Sequence, residues 1–389
     1  MYSYSRAQYL VWKKEQRLCF VLSLLIASMA YVFAISGGSF RLLVTSQAGF
    51  LIGITCIVLL SVKRSRVDLY NIAAWFVLAI ILVGNVFINL KSYSHAETSA
   101  NFAILHIGGV IVAAFGIQWA DRNLKPILIL EYLAWMLAPL AIIVFMLGWG
   151  AITGSIRFKP FGIQPNWWGE IALALIFSAF AVRQLSVKTL FILFGLVLLL
   201  FVQSRGALLA ALVAILIQLL LRLKAAPKTA PHILIIISLL FFTTTTIFGL
   251  MGWVEPAIYF IKQKIVLIDH PYRGLGTGLV GRLEGWFSAI TIFSENPILG
   301  GGFDTLSNVH NGFLRMAGEG GVLLLGMIVL MMFCAMVKAW QYNNFLTLSV
   351  LPGIGVYFLT YPRMLNLNVL GIIFIFCLFS SAKPKALGQ

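Results

Sequence analysis

The sequence is short of charge. Only 10% of its 389 residues are Asp, Glu, Lys or Arg, and just 12 of them are acidic. A soluble domain of this length could not cover its core with so little polar surface, so soluble fold classes are excluded. Cysteine is scarce too. Cys19, Cys56, Cys334 and Cys377 all sit in or beside apolar runs, and none forms a CxxC pair. That argues against both a disulfide framework and a zinc site. There is no HExxH, no DxD and no histidine-rich tract, so no catalytic metal and no cofactor is implied. The apolar runs also lack the period-2 alternation that a membrane barrel needs.

What is present is hydrocarbon. The chain is 61% hydrophobic, with a mean hydropathy of +0.98. Apolar runs near the spanning length recur from end to end, and backbone in lipid must satisfy itself, so the runs read as helices. The fold class expected is an all-α polytopic membrane protein, one integral domain over 1–389. It has about twelve transmembrane helices, at 18–36, 42–62, 69–90, 101–120, 126–149, 168–182, 189–203, 206–221, 233–250, 312–337, 345–360 and 367–382. The formal net charge of +16 follows the positive-inside pattern. Arg6, Lys13, Lys14 and Arg17 precede the first run and place the N-terminus in the cytoplasm. No small-residue cleavage site follows that run, which reads as a retained signal anchor. An even number of spans returns Lys383 and Lys385 to the same side.

The cations left on the outer side need another explanation, and an anionic substrate supplies one. Two outer loops carry several of them, about 150–167 and a long, partly helical one, about 251–311. Within the second, RLEGWFSAITIF has helical spacing. Leu283, Trp286, Phe287, Ile290 and Phe293 are predicted to line one face, lying on the membrane or on the bundle. The most polar interval of the chain, Gly281 to Gly321, includes Arg282, a triple glycine at Gly300–Gly302, His310, Arg315 and Glu319.

Each candidate has a chemical reading and a plainer one. His310 stands where the long loop meets a span and could take a proton from a hydroxyl, or could simply be satisfied by backbone. Asn311 can cap the helix that follows. Arg315 and Glu319, spaced i, i+4, can form an ordinary helix pair near the interface. Arg282 can grip phosphate with two nitrogens or be a solvated charge. Arg205, in FVQSRGALLA, is set between two apolar runs with almost no loop. So close to hydrocarbon, an arginine costs about 2–3 kcal/mol and needs an anion, a carboxylate or water. Arg157 and Lys159 precede Asn166 and the pair Trp167–Trp168, which can stack on sugars or form an interfacial belt. Glu170 is a partner candidate for one of the arginines, and Arg273 lies in the long loop. An outward cluster of arginines with one histidine and no metal motif suits a lipid-linked diphosphate.

Four strings, in order, carry a family resemblance: SRGALLA at Ser204–Ala210, GRLEGW at Gly281–Trp286, NPILGGGF at Asn296–Phe303 and HNGFLRMAGEGG at His310–Gly321. Together they resemble the O-antigen ligase and polymerase superfamily, over about 150–340. The resemblance implies a GT-C-type membrane glycosyltransferase of the bacterial inner membrane, with both termini cytoplasmic and a periplasmic active site. Its donor would be a glycan on undecaprenyl diphosphate and its acceptor lipid A–core or another glycan, with no nucleic acid involved. It implies catalytic roles for Arg205, Arg282 and His310, and substrate contacts for Arg157, Lys159, Asn166, Arg273, Asn311 and Arg315. The ligase pattern of His-[Asn/Ser/Gln], nine residues and a glycine is met by His310, Asn311 and Gly321, although Leu324 departs from the small or polar residue usual after it. Polymerase-like Arg-to-Gly spacings at Arg157–Gly169 and Arg273–Gly285 are each one residue too long, which favours a ligase. The alternatives are a repeat-unit polymerase and a flippase or transporter, the latter with Glu131 as its one mid-membrane charge.

Overall fold

A computed structural model describes residues 6–35, 111, 125–148, 165–225, 282–302, 305–306, 309–361 and 368–379. All regular structure among them is helical: α1 (Arg6–Ile35), α2 (Pro126–Gly148), α3 (Pro165–Ala179), α4 (Leu185–Val202), α5 (Arg205–Ala225), α6 (Leu283–Glu295), α7 (Gly312–Gln341), α8 (Phe345–Phe358) and α9 (Val369–Phe379). Five of these, α1, α2, α4, α5 and α7, are long and apolar enough to cross a membrane. The chain is therefore a multi-pass helical membrane protein. The expected spans at 42–62, 69–90, 101–120 and 233–250 lie outside the described residues, apart from residue 111.

The described helices follow the hydropathy reading with two informative differences. The first span was expected from residue 18, yet α1 starts at Arg6. Its apolar window is Glu15–Val32, so the basic start continues the same helix beyond the hydrocarbon. The second difference is α3. Pro165 opens it at the first helical position, where a missing N–H does no harm. It has 15 residues, about 22 Å, too short for a hydrocarbon layer of about 30 Å. Every residue from Trp168 to Ala179 is buried, because α2, α4, α5 and α9 pack around it. α3 is the central post of the bundle and has little lipid to satisfy.

Small residues let the helices close on one another, as membrane packing requires. On α5, Ala207, Ala210, Ala211 and Ala214 are all buried. Facing them, Gly353 of α8 comes so near that a Cβ there would stand 2.9 Å from the Ala210 carbonyl. Farther along the seam, Ser349 and Gln218 share a hydrogen bond of 2.7 Å. α1 and α2 run side by side, with the Ser23 hydroxyl donating to the Ile129 carbonyl at 2.7 Å and the Tyr31 hydroxyl to that of Met136 at 2.7 Å.

The bundle has two unlike ends. One gathers the helix-terminal cations Arg222, Lys224 and Lys338, with Lys224 Nζ 4.7 Å from the centre of the Trp340 ring. Arg183, on the α3–α4 turn, lies 3.8 Å from Glu131. Glu131 is therefore matched to a cation at the basic end. The opposite end collects the N-termini of α3, α5, α7 and α9 and the C-termini of α4 and α8, and it carries the candidate site.

Candidate active site

The site is built around a break in α7. Gly321 has φ 64 and ψ −166, non-helical values inside an otherwise continuous run. An unbroken helix would hydrogen-bond Val322 N to Gly318 O and Leu323 N to Glu319 O. Here the loop after α6 takes those partners. Gly301 N donates to Gly318 O at 2.8 Å and Gly302 N to Glu319 O at 3.0 Å, while Val322 N donates to Pro297 O at 2.8 Å and Leu323 N to Ile298 O at 3.4 Å. Two helix hydrogen bonds become four across the loop. Backbone groups left unmade in this setting would each cost about 1–3 kcal/mol. The approach demands glycine on both sides. A Cβ on Gly321 would run into the Ile298 carbonyl, and one on Gly300 (φ +70) into the Glu319 carbonyl.

Length places the break. α7 has 30 residues, about 45 Å, and the stretch after Gly321 alone is about 30 Å long, enough to cross the hydrocarbon. Gly312–Gly320 therefore stands at headgroup level, and the triple-glycine loop docks against it there.

This docking sets His310. Leu306 and Val309 are buried against Ala289 of α6, with Trp286, Ile292 and Leu314 around them. Asn311 is the N-cap of α7, its Oδ1 accepting from Phe313 N at 3.0 Å and Leu314 N at 3.1 Å. Such a cap stabilises a helix by about 1 kcal/mol. His310 thus sits between a buried valine and a helix cap. Burial lowers its pKa below the ordinary histidine value, and the nearby Arg282 charge lowers it further. Both effects favour the uncharged ring, which can accept a proton. Arg282 occupies the N-cap position of α6 without a side-chain cap bond. The charge of Arg282 thus acts on His310 although the two lie 28 positions apart in sequence.

α6 forms where its spacing predicts. Its side against the neighbouring cluster is Trp286, Ala289 and Ile292, while Leu283, Phe287 and Ile290 are exposed, open to the membrane placement expected of that apolar face. Small residues set the protein-packed side. A Cβ on Gly318 of α7 would lie 2.9 Å from the Ala289 carbonyl, so the tightest approach is centred on an alanine that hydrophobic periodicity discounts. The i, i+4 pair of Arg315 and Glu319 also forms, at 2.6 Å. It is buried, with the two residues 5% and 4% exposed. The loop covers it, and Leu306 N donates to the same Glu319 oxygen at 3.3 Å.

Arg205 opens α5 at the same end of the bundle. Gln203, in the left-handed region at φ 52, closes α4, and Leu208 N donates to Ser204 O at 2.9 Å to begin α5. The SRG turn is clamped from two sides: Ser204 abuts Gly169 of α3, and Gly206 abuts Thr360. Next to Gly169, Glu170 is 3% exposed. It accepts from the Tyr357 hydroxyl at 3.5 Å and from Asn368 Nδ2, and Asn368 Oδ1 in turn accepts from Gly371 N at 2.7 Å. One carboxylate ties the ends of α3, α8 and α9 beside the Arg205 turn. Sequence reasoning flagged Glu170 but missed Tyr357 and Asn368, whose only signal is polarity at a helix end. Asn166 lies on the first turn of α3, half-buried. Arg157, Lys159 and Arg273 lie outside the described residues.

Residues 190–331 match the family model described as O-Antigen ligase. The matched segment runs from α4 to past the break in α7 and includes Arg205, Arg282, His310, Arg315, Glu319 and Gly321. It supports a likeness to the O-antigen ligase and polymerase superfamily over that segment. No curated protein matches the chain.

The break makes a stability prediction with its own control. Gly321→Ala meets both a forbidden backbone region and the Ile298 carbonyl, and should destabilise by at least about 1–3 kcal/mol. Gly326→Ala, five residues along the same helix, has nothing within 4 Å of the added carbon and should be neutral or stabilising by up to about 1 kcal/mol. Thermal unfolding of the two variants in detergent micelles measures the contrast.

Proposed function

We propose that this chain, whose 190–331 segment matches the O-antigen ligase family, is an O-antigen ligase: a GT-C-type, metal-independent, inverting glycosyltransferase. It moves a glycan en bloc from undecaprenyl diphosphate to a sugar hydroxyl of lipid A–core on the periplasmic side of the inner membrane. The observation that carries the reading is the neighbourhood of Arg282 and His310, a cation beside an imidazole held below its ordinary pKa at the end of the bundle opposite the cationic one.

The chemistry follows from what each group can do. His310 takes the proton of the acceptor hydroxyl. The hydroxyl oxygen bonds to the anomeric carbon from the face opposite the diphosphate. The bond between that carbon and the diphosphate oxygen breaks, and its electron pair leaves with undecaprenyl diphosphate. The leaving group needs charge stabilisation more than it needs a proton, and Arg282 and Arg205 supply it as fixed guanidinium groups at low dielectric. Arg157, Lys159, Asn166 and Arg273 are assigned to the remaining diphosphate and glycan contacts. Asn311 contributes chiefly as the cap that holds the ring. The basic end, with Arg183, Arg222, Lys224 and Lys338, faces the cytoplasm by the positive-inside rule. Glu131, the candidate charge for a transport path, lies near the start of α2, 3.8 Å from Arg183.

Purified protein incubated with lipid-linked glycan and candidate acceptors tests the reading. His310→Ala and Arg282→Ala should each lose ~10²–10⁴-fold in transfer rate while still inserting in the membrane, and normal transfer by His310→Ala would remove the mechanism. Extension of the lipid-linked glycan by further repeat units, without transfer to lipid A–core, would instead identify a polymerase.

The pH profile gives a second test. The base acts in its neutral form, and its pKa is depressed, so the acid limb of kcat/KM should fall below the pH expected for an ordinary histidine of about 6.5. Arg282→Gln removes a cause of the depression and should move that limb to higher pH. A limb that does not move would detach Arg282 from His310.

A further inference from the structure

We propose that Glu319 is a positioning residue for His310, acting through the reach of its side chain rather than through its charge; the proposal deepens the glycosyl-transfer reading above and rests on it. One carboxylate oxygen, Oε1, accepts from two donors on opposite sides of the histidine in sequence. From the helix after it comes Arg315 Nε at 2.6 Å, and from the loop before it comes the Leu306 backbone N–H at 3.3 Å. The backbone of the same residue is used as well, since Glu319 O accepts from Gly302 N at 3.0 Å. Glu319 thus fastens the segment before His310 to the first turns of α7 at two points, one through its side chain and one through its main chain.

The surroundings support the fastening. Leu306, which makes the latch, and Val309, next to His310, are both buried, Arg315 N donates to Asn311 O at 2.9 Å, and Asn311 caps the helix. His310 lies between Leu306 and Asn311, which hydrogen bonds through Arg315 and Glu319 tie to one another. Arg315 is occupied by this pair and buried, and the geometry assigns it to the fastening as well. That is the ordinary helix pair its spacing offers, in place of the substrate contact that the family resemblance implies.

Transfer needs the ring within hydrogen-bond reach of the acceptor, and a shift of about 1 Å can cost ~10²-fold in rate. The test separates reach from charge. Glu319→Gln keeps the length and an oxygen that accepts from both donors but loses the charge. Glu319→Asp keeps the charge but is one methylene too short to meet both. In the full-length protein in detergent, Glu319→Asp should lose ~10²-fold in kcat with the donor KM changed by less than about twofold, and Glu319→Gln should remain at least about tenfold faster than Glu319→Asp. An activity-independent arm runs beside it. Modification of His310 by diethyl pyrocarbonate, read by mass spectrometry at fixed pH, should be several-fold faster in Glu319→Asp than in the native protein and near native in Glu319→Gln. Thermal midpoints of both variants exclude global unfolding as the cause. The reverse rate order, with Asp active and Gln inactive, would make the charge the functional element and overturn the proposal. So would a His310 modification rate unchanged in Glu319→Asp. If the native protein transfers no glycan, the functional reading fails, and the modification rates still decide whether Glu319 holds the ring.

Discussion

The site depends on the exchange of backbone hydrogen bonds at Gly321. A helix ordinarily satisfies its own N–H and C=O groups, and a break within it leaves orphans that must find other partners. In α7 the loop from Pro297 to Gly302 takes them over, two donors and two acceptors at once. The consequence is geometric. A loop that supplies those groups cannot drift, and neither can α6 before it or the His310 segment after it. Interrupted helices with polar ends are a recurrent way of building ligand sites within membrane proteins. This one replaces flexibility at the headgroup level with a rigid platform.

Electrostatics then acts on fixed positions. Partial burial and the Arg282 charge both work against a charged imidazole at His310, so the uncharged ring is favoured. The same arginine is the N-cap of α6 and makes no side-chain cap bond there. Two further charges nearby, Arg315 and Glu319, cancel one another in a buried pair. Breaking one member of such a pair costs about 3–5 kcal/mol, more than an exposed pair contributes. Arg315 is thus tied into the scaffold, whereas Arg205 and Arg282 sit on turns at the end of the bundle opposite the basic one.

Much of this was legible in the residues. Hydropathy located every described membrane helix within a few residues, apart from the start of α1, because desolvation of backbone leaves helices as the option. The motif spacing from His310 to Gly321 was recognisable as a family pattern, and the structure gives its physical meaning: it is the distance from a helix cap to the residue where the helix must break. Other features were hidden for identifiable reasons. The packed face of α6 centres on Ala289, which periodicity undervalues because its contribution is closeness, not area. The burial of Arg315 and Glu319 depends on a loop folding back from far outside the helix, which i, i+4 spacing cannot report. The carboxylate hub of Glu170, Tyr357 and Asn368 joins three helices whose residues are nearly two hundred positions apart, a contact for which a single sequence has no local signal.

The central claim is that Arg205, Arg282 and His310 converge on one diphosphate. An experimental structure of the protein with undecaprenyl diphosphate bound tests it most directly. The account predicts phosphate density between the two guanidinium groups, with the His310 ring facing the side from which an acceptor hydroxyl would attack. Phosphates bound elsewhere, with the two arginines directed away from each other and from the ring, would contradict it.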